Sequence, residues 1–282
     1  MIPAAFDYQR VDSVDAAVAA LGEHGDEAKL LAGGHSLLPL MKLRLATPSV
    51  LIDLGRVQEL SYVQDRGDHI AIGALTRHHV LHTSGLLATD APLLAHAAGQ
   101  VGDPQVRHRG TLGGSIAHGD PASDLPAVLL ALRATLVARG PEGNRSIAVD
   151  DFFVGFLETA LRPDEVLTEV QVPKVTGQGW SFQKMNRRAQ DWAIVGVACV
   201  LSGTAAGIGL VNMASRPLRA SATEAALAGG ASLADAAQAA AEGAEASADL
   251  NASAEFREHL ARVLVRRALE ESAAGGRSAA RV

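Results

Sequence analysis

The residues best suited to chemistry are two pairs of glycines, each flanked by hydroxyl groups. The first pair stands in Leu30-Leu31-Ala32-Gly33-Gly34-His35-Ser36, an apolar run that ends in glycine just before a helical pattern. A strand-to-turn-to-helix junction aims free main-chain N–H groups and the positive end of a helix dipole at one point, and glycine lets an anion approach that backbone closely. Such a junction holds a pyrophosphate; taken singly, it can equally be a tight turn that needs glycine for positive φ. The second pair stands in Arg109-Gly110-Thr111-Leu112-Gly113-Gly114-Ser115-Ile116, read as a loop in which Thr111 and Ser115 add hydroxyl donors. Asp124 then opens a helix, where a carboxylate is ordinarily an N-cap and can otherwise accept from a ribose hydroxyl. Two such loops, 80 residues apart from Gly33 to Gly113, point to one extended dinucleotide clamped between two subdomains. Neither G-x-G-x-x-G nor G-x-x-x-x-G-K stands at either loop, which argues against a Rossmann NAD site and a P-loop ATPase.

Other reactive side chains carry less. His78, His79 and His82 form an H-H-x-x-H cluster on a short helix, but no cysteine or carboxylate stands near by to complete a metal site, so an exposed polar helix face is expected. Cys199 is the one cysteine, inside an apolar strand, and is read as an inert core thiol. A single thiol cannot build a disulfide framework, a four-cysteine zinc site or an iron–sulfur cluster, so any such centre must sit on another chain. The 282 residues carry 25 basic and 31 acidic side chains, a net charge of -6 that argues against nucleic acid as a partner. With 48% hydrophobic residues the chain can bury a real core. No secretory signal is read in MIPAAFDYQR, and a cytoplasmic location is expected.

Elements that could position the glycine pairs follow from the hydrophobic pattern. Ser13 is a candidate cap for a helix to Leu21; residues 29–32 and 50–54 read as buried parallel strands joined by a helix over 37–44 that Ser36 caps. Residues 60–173 read as a mixed α+β subdomain, with strands at 60–63, 69–74, 135–139, 146–149 and 166–172 and helices at 92–100 and 124–132. Beyond Pro173 come strands at 180–184 and 193–201, a glycine-rich strand to Met213, and Ala-rich helices. The last helix, 253–271, places Phe256, Leu260, Val263 and Leu264 on one face, with the buried part ending near Arg267. The uncharged stretch 192–215 is long enough to span a bilayer, but four glycines and its β-branched residues favour a hairpin. The tail, 275–282, is expected to fray.

Three segments make the chain recognisable: AGGHS at 32–36, GDPQVRHRGTLGGSIAHGDPASD at 102–124 and FQKMNRRAQDWA at 182–193. They resemble the FAD-binding medium subunit of molybdenum hydroxylases over essentially the whole chain, the carbon monoxide dehydrogenase type being nearest. The resemblance implies an α+β fold: a two-lobed FAD-binding domain of the vanillyl-alcohol oxidase (PCMH) type over 1–175, with lobes at about 1–55 and 56–175, and a smaller α/β C-terminal flavoprotein domain over 176–282. Carried over residue by residue, Ala32, Gly33, Gly34, His35 and Ser36 would wrap the FAD pyrophosphate, and Thr111, Gly114 and Ser115 would complete the cradle. Asp124 would bind a ribose or ribityl hydroxyl, and Val101, Leu167 and Lys184 stand where relatives contact the flavin. A lysine near the N1/C2 carbonyl side also has a physical rationale, since it stabilises the anionic reduced ring. Trp192 would shield one flavin face by stacking, or fill a core. Relatives often carry Asn where His108 and Ser115 stand; the serine keeps a hydrogen-bonding group.

The same resemblance implies that FAD is held without a covalent bond, although some flavin oxidases of this fold attach it through a histidine in a turn like that of His35. It implies two further chains: a small subunit with two 2Fe–2S iron–sulfur clusters and a large subunit with a molybdenum–pterin centre, in a dimer of heterotrimers. Electrons would reach FAD through the clusters and leave to an external acceptor such as a quinone. No transmembrane segment is expected; membrane attachment, where it occurs, would be peripheral and through the complex. Three other readings stand beside this one: the flavin subunit of another molybdenum hydroxylase, of the xanthine, nicotine or aldehyde type; a self-contained flavin oxidoreductase of the same fold; and a nucleotide-binding scaffold with no redox role.

Overall fold

The computed structural model describes residues 2–275, so most of the tail expected to fray lies outside the described residues. The first lobe is built from β1 (Asp7–Arg10), α1 (Val14–His24), β2 (Ala28–Leu31), α2 (Leu37–Lys42) and β3 (Val50–Asp53). Its sheet has the order β1-β3-β2, all parallel. Ser13 caps α1 by accepting from the Ala16 N–H. β3 holds the centre and is buried, whereas β2 lies at the edge and leaves Lys29 exposed; with one neighbouring strand rather than two, it is less buried than expected. Ser36 stands before α2 but makes no cap bond, because its own backbone is already helical, and α2 ends at Lys42 rather than Arg44.

The middle lobe runs through β4 (Val63–Asp65), β5 (His69–Gly73), α3 (His78–Thr83), α4 (Gly85–Asp90), α5 (Pro92–Gly99), α6 (Pro104–Arg109), α7 (Leu112–His118), α8 (Asp124–Leu132), β6 (Thr135–Gly140), β7 (Gly143–Ala148), α9 (Val149–Phe152), β8 (Phe153–Gly155), β9 (Glu158–Thr159) and β10 (Val166–Pro173). An antiparallel sheet of order β4-β5-β10-β6-β7 carries it. The strand expected at 60–63 starts only at Val63: residues 58–60 form a 3-10 turn, because Leu60 plugs the first lobe's core while its carbonyl accepts from the Leu75 N–H at 2.7 Å. The second glycine pair is not in a loop. Gly113 and Gly114 occupy the first turn of α7, and a Cβ on Gly113 would stand 2.5 Å from that of Ala74.

The C-terminal part consists of β11 (Gly179–Met185), β12 (Val195–Ser202), β13 (Ala205–Val211), β14 (Leu218–Arg219), α10 (Ser221–Ala228), α11 (Leu233–Ala236) and α12 (Ala254–Ala273). β12 and β13 are the hairpin expected across 192–215, and no helix among the described residues is long and apolar enough to cross a membrane. One face of this sheet lies on α8. Cβ atoms at Gly207 and Gly209 would strike the carbonyl oxygens of Ala131 and Ala127, so the glycines let the helix backbone touch the strand. All nine residues of α8 are buried, which explains a helix apolar on every side. α12 covers the other face of the sheet, but only in part as expected. Arg257, Leu260, Ala261, Leu264, Val265, Ala268, Leu269 and Ser272 are buried, while Phe256 is 44% exposed. Leu260 and Leu264 are buried as expected, Ala261 and Ala268 widen the contact without marking it in the sequence, and burial continues past Arg267 to Ser272.

Candidate functional site

β2 delivers the chain into the first glycine pair, and Gly34 turns it with φ of 79°. Among the described residues, none of the main-chain N–H groups of residues 33–36 donates to a protein acceptor. Four donors of one bend are therefore left without a protein acceptor, and an anionic oxygen can take them up. The second segment stands directly against it: a Cβ on Gly33 would strike the Arg109 carbonyl oxygen and lie 3.0 Å from the Gly110 Cα, and one on Gly114 would lie 3.7 Å from the Ala32 Cβ. Ala32, Gly33, Gly34 and Gly114 are thus brought together across two lobes. Thr111 is 2% exposed and its Oγ1 accepts from the Gly114 N–H at 3.1 Å, so the hydroxyl shapes the start of α7 first. Ser115 and Ser36 are half-buried beside it, and His35 is exposed.

The second group lies where α8 begins. The Lys184 Nζ, on β11, donates to the Asp124 Oδ2 at 2.7 Å and to the Gln100 carbonyl at 3.3 Å. Both side chains are buried, at 8% and 6% exposure, which excludes a solvated surface lysine. Asp124 is not an N-cap: it is the first residue of the helix, Ser123 precedes it, and its Oδ1 is buried with no partner. Burial pushes the Asp124 carboxyl above its ordinary range, against the opposing pull of Lys184. An unpartnered buried carboxylate oxygen costs free energy that a ligand hydroxyl would recover. Of the three Nζ hydrogens of Lys184, two are used and one is left for a ligand acceptor.

Val101 follows Gln100 and is held in place by Arg107, whose Nη1 donates to the carbonyls of Val101 and Gly102 at 3.1 Å each. Leu167 is not brought into the site by its side chain, which is 5% exposed inside the core. Its neighbour Thr168 supports the cradle instead: its carbonyl accepts from Ala74 at 2.9 Å, and the Ala74 carbonyl accepts from Gly113 at 2.8 Å. Trp192 is 61% exposed on the loop between β11 and β12, which rules out a core tryptophan.

Sequence reasoning passed over Arg77 and Arg107, and read His78 only as part of an exposed histidine face. Arg77 donates to the Arg109 carbonyl, and the His78 N–H to the Gly110 carbonyl at 3.1 Å, so α3 braces the second segment from behind. The histidine face expected to be exposed is so only at His82. His78 is 4% exposed, because its ring lies where a Cβ on Gly110 would be, 2.6 Å away, and His79 stacks on His108 with ring centres 4.2 Å apart. No group of three or more potential metal ligands occurs among the described residues. A cavity of about 320 Å³ lined by Gly55, Val57, Gln58, Ser61, Leu75 and Arg77 meets these groups only through Arg77. At the start of α8 the Asp124 Oδ1 is buried and unpartnered, and the glycine bend at 33–36 adds main-chain donors without protein acceptors.

Comparison with known proteins places both parts of the chain in a family. The family model described as FAD binding domain in molybdopterin dehydrogenase matches residues 4–175, and that described as CO dehydrogenase flavoprotein C-terminal domain matches 180–272. The chain is 44% identical to the carbon monoxide dehydrogenase medium chain of Hydrogenophaga pseudoflava, over 95% of this chain and 97% of that one. It is 41% identical to the carbon monoxide dehydrogenase medium chain of Afipia carboxidovorans, over 97% and 99%. A solved carbon monoxide dehydrogenase from Hydrogenophaga pseudoflava superposes with a TM-score of 0.94 at 45% identity, over 98% of this chain and 100% of that one. With family models covering most of its length and close relatives aligned nearly end to end, the chain belongs to the family of FAD-binding subunits of the molybdopterin dehydrogenases.

Proposed function

We propose that this chain is the FAD-carrying electron-transfer subunit of a molybdenum hydroxylase that oxidises carbon monoxide to carbon dioxide. The observation that carries the reading is the pairing of an open four-donor bend at residues 33–36 with a buried Asp124 whose Oδ1 lacks a partner. The residues present fit FAD. The glycine contact between Gly33 and Gly110 leaves no room for side chains and lets a pyrophosphate reach the backbone, and Asp124 offers an acceptor to a ribityl or ribose hydroxyl.

When bound, FAD takes up electrons one at a time and gives them up in pairs, a chemistry that belongs to the cofactor. The chain's own residues do the rest. The N–H groups of 33–36, with the start of α7 at Thr111, Gly114 and Ser115, hold the pyrophosphate. Lys184 holds the Asp124 carboxyl in place by donating to its Oδ2, and its remaining N–H would be directed to a ring carbonyl. Val101 and the backbone near Leu167 would line the sides of the flavin, and the exposed Trp192 would shield one face of it. His35, on the surface of the bend, makes no covalent link; acid precipitation that left yellow colour in the pellet would overturn this. The domain division that suits these roles is 1–175, in lobes of about 1–55 and 56–175, with 176–282 bringing Lys184 and Trp192 to the site.

No acid, base or nucleophile of this chain needs to touch the substrate. The only cysteine, Cys199, is buried, so the one-electron centres that feed the flavin belong to a cysteine-rich partner, and the molybdenum–pterin centre to a large subunit. We place the complex in the cytoplasm as a dimer of heterotrimers that passes electrons to an acceptor such as a quinone. Co-purification tests the reading: one FAD per chain, molybdenum and iron in the same complex, and CO-dependent dye reduction. A complex without flavin, or flavin without co-purifying metals, would reject it.

A further inference from the structure

Asn212 follows β13 with φ of 62°, in the left-handed region that a non-glycine side chain enters at a cost. Its side chain explains why glycine does not stand there. The Asn212 Nδ2 donates to the carbonyls of Ala193 at 2.9 Å and Ile194 at 3.4 Å. Its main-chain N–H donates to the Pro121 carbonyl at 2.8 Å, three residues before Asp124. Ala193 is buried against Ala127 on α8 and Val211 on β13. Arg257, 1% exposed, donates to the Ile194 carbonyl as well and pairs with Asp249 at 2.6 Å.

One end of the loop that carries Trp192 is therefore anchored at Ala193 and Ile194, and the anchor is joined to the turn that presents Asp124. The rest of the loop is held by fewer contacts: the Asp191 N–H donates to the Arg188 carbonyl at 3.1 Å, its carboxylate faces the Arg188 Nε at 3.7 Å, and the Arg187 Nη1 donates to the Asn251 Oδ1 at 3.3 Å.

We infer that Asn212 is a positioning residue: by tying Ala193 and Ile194 to the Pro121 turn, it sets where the Trp192 ring stands relative to Asp124, and so how the indole covers the flavin. The inference rests on the reading of this site as the FAD site. Asn212→Gly is the informative variant, because glycine adopts the left-handed backbone freely and only the amide is lost. Asn212→Asp keeps the shape but turns an oxygen toward the two carbonyls.

In the purified complex, Trp192 emission is read as the difference between a variant and the same variant carrying Trp192→Phe; the other tryptophan, Trp180, lies in the core. Flavin quenches the docked indole. Asn212→Gly is expected to retain its full FAD complement while the ratio of undocked to docked Trp192 rises roughly fivefold, the scale of one neutral hydrogen bond. Asn212→Asp is expected to raise it further, and in both variants the KM for the dye acceptor changes more than kcat. Unchanged Trp192 emission in both variants would overturn the proposal, as would a loss of FAD in step with the emission change, which marks general loosening. A wild-type complex devoid of flavin removes the reading of the site instead, so the two failures are separable.

Discussion

Asp124 and Lys184 meet at 2.7 Å across the boundary between the middle lobe and the C-terminal sheet, both side chains shielded from water. The pair joins the two parts of the chain and leaves the Asp124 Oδ1 free for a ligand. Lys184→Met leaves a buried carboxylate alone, and the expected loss at neutral pH is about 3–5 kcal/mol. The sign of its pH dependence follows from Asp124, whose carboxyl burial already holds above the ordinary range. An acid with a raised folded pKa favours the fold below its unfolded pKa and loses that contribution as pH rises. Without Lys184 the rise is larger, so the deficit of Lys184→Met against wild type should shrink as pH falls from 7 toward 4. Thermal melts of both proteins across that range check this; a deficit that does not change with pH would mean that Asp124 is not the group left exposed to the penalty.

Gly33→Ala should separate the two glycine segments. Its Cβ collides with the Arg109 carbonyl and presses on the Gly110 Cα at 3.0 Å, both backbone atoms that cannot turn aside. Overpacking of this kind costs about 1–3 kcal/mol, and the flavin-to-protein ratio should fall with it. Gly85→Ala is the control: nothing lies within 4 Å of its Cβ, so it should leave both melting temperature and flavin content where they were.

What could be read in the amino-acid order, and what could not, divides along the range of the interaction. The Gly33-Gly34 turn, the Ser13 cap and the β12–β13 hairpin depend on neighbours a few residues away, and each is present. Asp124 and Lys184 were legible as types but not as partners, because 60 residues separate them and only the packing of β11 on α5, and of β12 and β13 on α8, brings them together. His78 was misjudged for the same reason. A histidine on a short polar helix looks solvent-facing until the backbone of Gly110 is laid over its ring. The buried face of α12 was read only in part: Leu260 and Leu264 lie on it, but Ala261 and Ala268 carry no strong pattern, and the burial of Arg257 depends on Ile194 and Asp249.

His78 predicts an acid-sensitive step. Burial, with His35, Arg77 and Arg107 adding to it, depresses its imidazole from 6.5 to about 4. A base with a depressed folded pKa supports the fold above its unfolded value, and that support is lost as pH falls through 6.5 toward 4. The loss amounts to about 3 kcal/mol across the window, at 1.36 kcal/mol per pKa unit. His78→Gln, which cannot take up a proton, should therefore show a shallower decline in stability than wild type between those two pH values. Denaturant unfolding at several pH values measures the difference, and parallel curves would refute the assignment.

Cys199 should be silent toward thiol reagents in the native protein. It is 0% exposed between β11 and β13, and burial pushes its thiol up to about 12, so almost no thiolate exists at neutral pH. Modification then requires the C-terminal sheet to open. The rate with a small disulfide reagent should be slow, independent of reagent concentration once the reagent is in excess, and equal to the opening rate of that sheet. Lys184→Met should accelerate it, since Lys184 on β11 fastens the sheet to α8 through Asp124. A rate that stays proportional to reagent at every concentration, and is the same in both proteins, would show that the thiol is reached without opening.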